Sequence, residues 1–148
     1  MNKKQQIGFL IIAVAKTSGV DDSTKARAIG TMLYDVPFTK SGYISASCLT
    51  ETGHRPAYSK MVAEHFHSRN EAGYKLLELV REGKEIWNYL DECSTVHYTT
   101  KKENMDLCRI QNDPIGKTLT WQQQYRLAGI KLVKDPGLAP RCIKKDTV

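Results

Sequence analysis

The sequence predicts a mainly helical α+β protein: a short pair of strands followed by a helix, carried on a helical body. Three observations lead there. Apolar residues recur at helical spacing over several segments. One stretch, Thr95-Val96-His97-Tyr98-Thr99, is instead β-branched, aromatic and alternating. The 148 residues, 41% apolar and 26% charged, suit one domain with an ordinary core. No stretch approaches the ~20 apolar residues that span a bilayer, and no internal repeat is present.

From Lys3 to Thr17, Ile7, Leu10, Ile11, Val14 and Ala15 define an amphipathic helix that Ser18-Gly19 closes. Its basic start imitates a secretory leader, but Lys16 and Thr17 stand where small cleavage-site residues belong, so a helix of the folded protein is expected. Asp21-Asp22-Ser23 supplies an N-cap and first-turn acids for a second helix reaching Tyr34, with Ala26, Ile29, Gly30 and Leu33 inward and Pro37 as the stop. The pair invites a helix-turn-helix reading. Asp21, Asp22 and Asp35 around Lys25 and Arg27 oppose phosphate there, so plain helix packing is expected.

Between Pro37 and Pro56 the composition turns to Thr, Ser, Gly and Tyr, and Tyr43 to Leu49 fits a short strand or a helix. His54-Arg55-Pro56 reads as a turn. Tyr58 to His67 supports two registers: Tyr58, Val62 and Phe66 share a helix face, while Met61 to Phe66 equally makes a strand. Glu71 to Val80 is a helix with Leu76, Leu77, Leu79 and Val80 inside, ended by Arg81-Glu82-Gly83. Ile86, Trp87, Tyr89 and Leu90 form a shorter helix stopping near Cys93-Ser94, with Trp87 and Trp121 expected as core anchors. After the strand Thr95–Thr99, Thr99 or Thr100 caps a helix carrying Asn104, Met105, Leu107 and Ile110, with Glu103 at capping-box distance from Thr100. Trp121 to Lys134 is read as a last helix, and Asp135-Pro136-Gly137 opens a basic tail with Arg141, Lys144 and Lys145. The expected organisation is one domain, 1–148: a helical pair over 1–36, a core over 37–112 with a helical insert over 71–93, and a C-terminal helix and tail over 113–148.

The 22 Lys and Arg exceed the 16 Asp and Glu, a surplus of +6 that favours a polyanionic partner. Much of it follows residue 100, where Lys101, Lys102, Arg109, Lys117 and Arg126 are the nucleic-acid-binding candidates and DNA is the expected partner. The helix start near Lys101 adds backbone amides that favour phosphate. Cys48, Cys93, Cys108 and Cys142 lie apart with no C-x-x-C pair, which predicts free thiols of a reducing cytoplasm rather than a zinc site. No P-loop, dinucleotide fingerprint or G-x-S-x-G elbow occurs, so nucleotide hydrolysis, serine-hydrolase chemistry and an organic cofactor are not expected.

Chemistry concentrates in Glu64-His65-Phe66-His67-Ser68-Arg69. A carboxylate holds a divalent cation, a neutral imidazole deprotonates water near pH 7, and a guanidinium stabilises phosphate charge. One carboxylate binds Mg²⁺ weakly, so a further oxygen donor is needed, and Asn104 or Glu103 in the first turns of the helix after Thr95–Thr99 offers it. His65 and His67 share a face if the segment is a strand and could then hold a transition metal. His97 alternates with Val96 and Tyr98, facing toward this site or away from it.

This arrangement resembles the HNH, or ββα-metal, nucleases of phage or homing-endonuclease type, over roughly residues 58 to 110. The resemblance implies a hydrolase that cuts DNA with Mg²⁺ or Mn²⁺: Glu64 as metal ligand, His65 as general base, Asn104 as the helix ligand with Glu103 its nearest substitute, and Arg69 or Lys102 orienting phosphate. The helical insert and the lack of zinc-binding cysteine pairs depart from the family pattern, and the N-terminal helices lie outside it. The alternative from another class is a non-enzymatic nucleic-acid-binding or phage–host interaction protein with the same basic face and no ion; a protein-binding helical adaptor is a third.

Overall fold

The structure is a computed structural model and describes residues 1–51 and 60–136. The turn at His54-Arg55-Pro56, Tyr58, Cys142 and the tail cations Arg141, Lys144 and Lys145 lie outside the described residues. The chain is mainly helical with one small sheet, in the order α1 (Lys3–Lys16), α2 (Asp22–Met32), β1 (Thr39–Ser45), α3 (Ala46–Glu51), β2 (Val62–His65), α4 (Arg69–Arg81), α5 (Trp87–Ser94), β3 (Thr95–Thr99), α6 (Lys101–Asn112), α7 (Trp121–Leu127) and β4 (Leu132–Lys134). It divides into two compact units, one of Met1–Thr39 with His65–Thr95, the other of Lys40–Glu64 with Val96–Val148.

The first unit is helical. Asn2 caps α1 through a reciprocal box with Gln5, and Asp21 caps α2 on the Thr24 amide. Ile7, Ile11 and Ala15 of α1 recur on one face and meet Ile29, Leu76, Leu77, Ile86 and Leu90 in the core. Leu10, expected on that face, stands outside it at 56% exposure. Small residues set the α2–α4 crossing: a Cβ added at Gly73 would fall onto the carbonyl of Ala26. Lys25 is buried and donates to the Ala15 carbonyl at 2.9 Å, satisfying an open C-terminal acceptor of α1. Asp22 and Arg81 form a two-pronged ion pair between α2 and α4, one prong 2.7 Å long.

The second unit is built on the sheet, strand order β2-β3-β1-β4. Tyr43 to Leu49, which fits strand or helix by sequence, is both: β1 ends at Ser45 and α3 starts at Ala46 without a loop. β1 runs antiparallel to β4, with Tyr43 opposite Lys134, Ile44 opposite Val133 and Ser45 opposite Leu132. Here the reading of Trp121 to Lys134 as one helix is corrected. α7 stops at Leu127, Gly129 takes φ +71°, a left-handed turn that suits glycine, and Leu132–Lys134 leaves as a strand. The two open registers of Tyr58 to His67 resolve to a strand over Val62–His65. β2 and β3 are sheet neighbours joined through α4 and α5, the insert expected over 71–93, and α6 follows β3 directly. Ile44, Cys48 and Tyr98 make one small core here, Leu107, Tyr125 and Ile130 another. No helix among the described residues is long and apolar enough to cross a membrane.

Candidate functional site

Within the sheet unit, α6 is fixed by its own first turn. The Thr100 hydroxyl accepts the Glu103 amide at 3.1 Å, and Glu103 Oε1 accepts the Thr100 amide at 3.0 Å, the capping box that the sequence predicts. The same Oε1 accepts the Ser45 hydroxyl at 2.5 Å. Glu103 is only 7% exposed, and its second oxygen has no hydrogen-bond partner among the described residues. Its carboxylate therefore ties the end of β1 to the start of α6 before any other role is asked of it.

The next residue, Asn104, is half-buried and donates its side-chain amide to Glu64 of β2. Strand β2 and helix α6 thus bring together two of the predicted metal ligands, forty positions apart in the chain. Asn104 Oδ1 lies 4.0 Å from the Cys108 sulfur one turn on. The Glu64 charge helps burial to hold the Cys108 thiol above its ordinary value.

His97 is the middle residue of β3. It is fully buried and shares a 2.6 Å hydrogen bond with the Tyr125 hydroxyl, the two rings meeting edge-on at 5.3 Å. Burial pushes the Tyr125 hydroxyl well above its ordinary range, and the Glu64 and Glu103 charges add to the effect. His97 and Tyr125 are a packed polar pair. Ser45 and Tyr125 are the members of this surround that sequence reasoning passes over: serine on an ambiguous segment carries no signal, and Tyr125 shows only as the helical neighbour of Trp121.

The cations expected to meet DNA are exposed in the same unit. Lys102 Nζ and Arg109 lie 3.4 and 3.7 Å from Asp106, which lowers their net field, while Lys101, Lys117 and Arg126 stand clear on the surface.

The helical unit holds the rest of the motif. His65 is half-buried, and burial holds its imidazole below the ordinary value, so the ring is neutral at pH 7. With Leu33, Tyr34, His67, Arg69 and Cys93 it lines a small cleft. His67 is otherwise engaged. Its Nδ1 lies 3.3 Å from Glu71 and its Nε2 3.4 Å from Glu92, its ring rests 5.3 Å from that of Tyr89, and the Glu71 hydrogen bond raises its basicity. Both nitrogens face carboxylates, and His67 lies beyond the end of β2 at His65. Arg69 opens α4 behind the Ser68 cap and lies over the Tyr34 ring at 4.0 Å. Cys93 is buried, its thiol pushed up to about 12, and inert.

Among the described residues no three His, Cys, Asp or Glu side chains converge to hold an ion by themselves. Compared with protein-family models, curated proteins and solved structures, the chain matches none.

Proposed function

We propose that the protein is a metal-dependent endonuclease that hydrolyses DNA phosphodiester bonds. The observation that carries the reading is the Glu64–Asn104 contact, which joins the strand and helix donors of the predicted ion site. In the structure the amide gives Glu64 its nitrogen and not its oxygen, so the Asn104 side chain must turn over for a carboxylate and an amide oxygen to form a hard-oxygen pair. They suit Mg²⁺ or Mn²⁺, which keep several waters and take up phosphate oxygens, better than zinc, which needs a full set of nitrogen or sulfur ligands. When bound, the ion supplies electrostatic stabilisation of the phosphate and of the leaving oxygen.

The chain's residues do the rest. Glu64 and, once its amide has turned, the Asn104 oxygen would hold the ion. Glu103 supports Asn104 by fixing the first turn of α6 and is not needed as a ligand. His65 follows Glu64 in the chain, and its neutral imidazole takes a proton from water as the water oxygen bonds to phosphorus and the bridging P–O bond breaks. Lys101 and Lys102, at the exposed start of α6, hold phosphate.

The test is nicking of supercoiled plasmid. Mg²⁺ or Mn²⁺ should support it, a chelator should abolish it, and a folded His65→Ala variant should lose at least a hundredfold in rate, the scale of general-base catalysis. Unchanged nicking by that variant contradicts the mechanism.

A further inference from the structure

We propose that the cleft between α2 and α4 is a phosphate subsite built on Arg27 and Arg69, and that its ligand is the backbone of a polynucleotide. The proposal deepens the nuclease reading and takes its choice of polymer from it. The cleft, about 400 Å³, is lined by Ala26, Arg27, Gly30, Thr31, Arg69 and Asn70. Its floor is backbone. A Cβ at Gly30 would stand 2.8 Å from the Arg69 carbonyl oxygen, so the helices touch there and the two long arginine side chains rise from opposing walls.

Charge favours the assignment. Of the three acids that would oppose phosphate in this region, Asp21 caps α2 on the Thr24 amide at 2.8 Å, Asp22 is held by Arg81, and Asp35 is not among the residues that line the cleft. Arg27 and Arg69 form no ion pair with a carboxylate among the described residues. Stacking over Tyr34 occupies one face of the Arg69 guanidinium and leaves its edge donors unspent. A planar carboxylate is satisfied by one guanidinium fork. A tetrahedral phosphate turns oxygens toward both walls and suits two. Arg27, Arg69 and Asn70 are all exposed, so the cleft is open along its length and a polymer can lie across it.

The experiment is fluorescence anisotropy with a labelled 20-base-pair DNA duplex in a chelator, so that neither ion nor cleavage contributes. Arg27→Gln and Arg69→Gln should each weaken binding several-fold, and the double variant should reduce the slope of log K against log salt by about 0.9 for each phosphate it no longer neutralises. Lys75→Gln, the same charge change elsewhere on α4, should stay within twofold of the parent, and circular dichroism should show every variant folded. Unchanged affinity and slope in the double variant overturns the proposal, as does an equal loss in Lys75→Gln. Inorganic pyrophosphate that binds the parent but not the double variant, with DNA affinity unchanged between them, makes this a free-anion site and overturns the polymer assignment. DNA binding through the cleft without cleavage under any metal overturns the nuclease reading alone; cleavage with a cleft indifferent to DNA overturns this one alone.

Discussion

Glu64 on β2 accepts a hydrogen bond from the side-chain amide of Asn104, the fourth residue of α6. Asn104 holds that position because Thr100 and Glu103 close the first turn of the helix and Ser45 braces Glu103 from β1. Three sequence-distant segments therefore fix one carboxylate–amide pair, and damage to the support should be separable from damage to the pair.

Replacing Glu103 tests the support. Glu103→Ala removes a capping acceptor and the partner of the buried Ser45 hydroxyl, and should cost about 2 kcal/mol in urea unfolding. Glu103→Gln keeps an acceptor oxygen, so it should cost less than half of that and retain metal-dependent nicking. Loss of nicking in a stable Glu103→Gln variant would return Glu103 to the ligand set.

Gly73 tests the helix crossing. Helix propensity alone favours Gly73→Ala by about 1 kcal/mol. The new methyl falls onto the Ala26 carbonyl, and overpacking of that kind costs about 1–3 kcal/mol or more, so a net loss of stability is expected. A higher melting temperature in Gly73→Ala would show that α2 and α4 are not in backbone contact.

Much of the fold is legible in the sequence because it is local. The strand Thr95–Thr99 and the cap at Thr100 depend on side chains within a few residues, and both are found where the sequence places them. The last helix is a different matter. Trp121 to Lys134 keeps an apolar rhythm throughout, but Leu132–Lys134 pairs with β1 far upstream, and that pairing overrides the periodicity once Gly129 breaks the turn. The joining of Glu64 to Asn104 can be anticipated from the order of strand and helix. The brace from Ser45 and the availability of Arg27 cannot, since each depends on which neighbour a distant segment brings: Glu103 for Ser45, and Arg81 to occupy Asp22 on the helix that carries Arg27.

His67 gives a pH dependence of known sign. Glu71 and Glu92 raise its folded-state value above the ordinary 6.5, so its contribution is fully present below pH 6.5 and is lost as pH rises through the folded value. Both carboxylates are about half exposed, so the effect should stay below about 1 kcal/mol. The stability difference between parent and His67→Asn should be larger at pH 6 than at pH 8.5. A difference that grows with pH contradicts the two-carboxylate arrangement.

Tyr125→Phe removes the hydroxyl bonded to buried His97 and little else. Stranding a buried polar nitrogen should cost about 1–3 kcal/mol. A cost below about 0.5 kcal/mol, on the scale of ordinary surface changes, would show that the pair contributes nothing.

The most direct measurement is single-turnover nicking of supercoiled plasmid by the parent and by Glu64→Gln over a Mg²⁺ titration. Glu64→Gln keeps the shape of the side chain and removes its charge. The variant should remain folded, require much more Mg²⁺, and nick at least a hundredfold more slowly at any concentration tested. Nicking by Glu64→Gln at the parent rate and the parent Mg²⁺ requirement would contradict it.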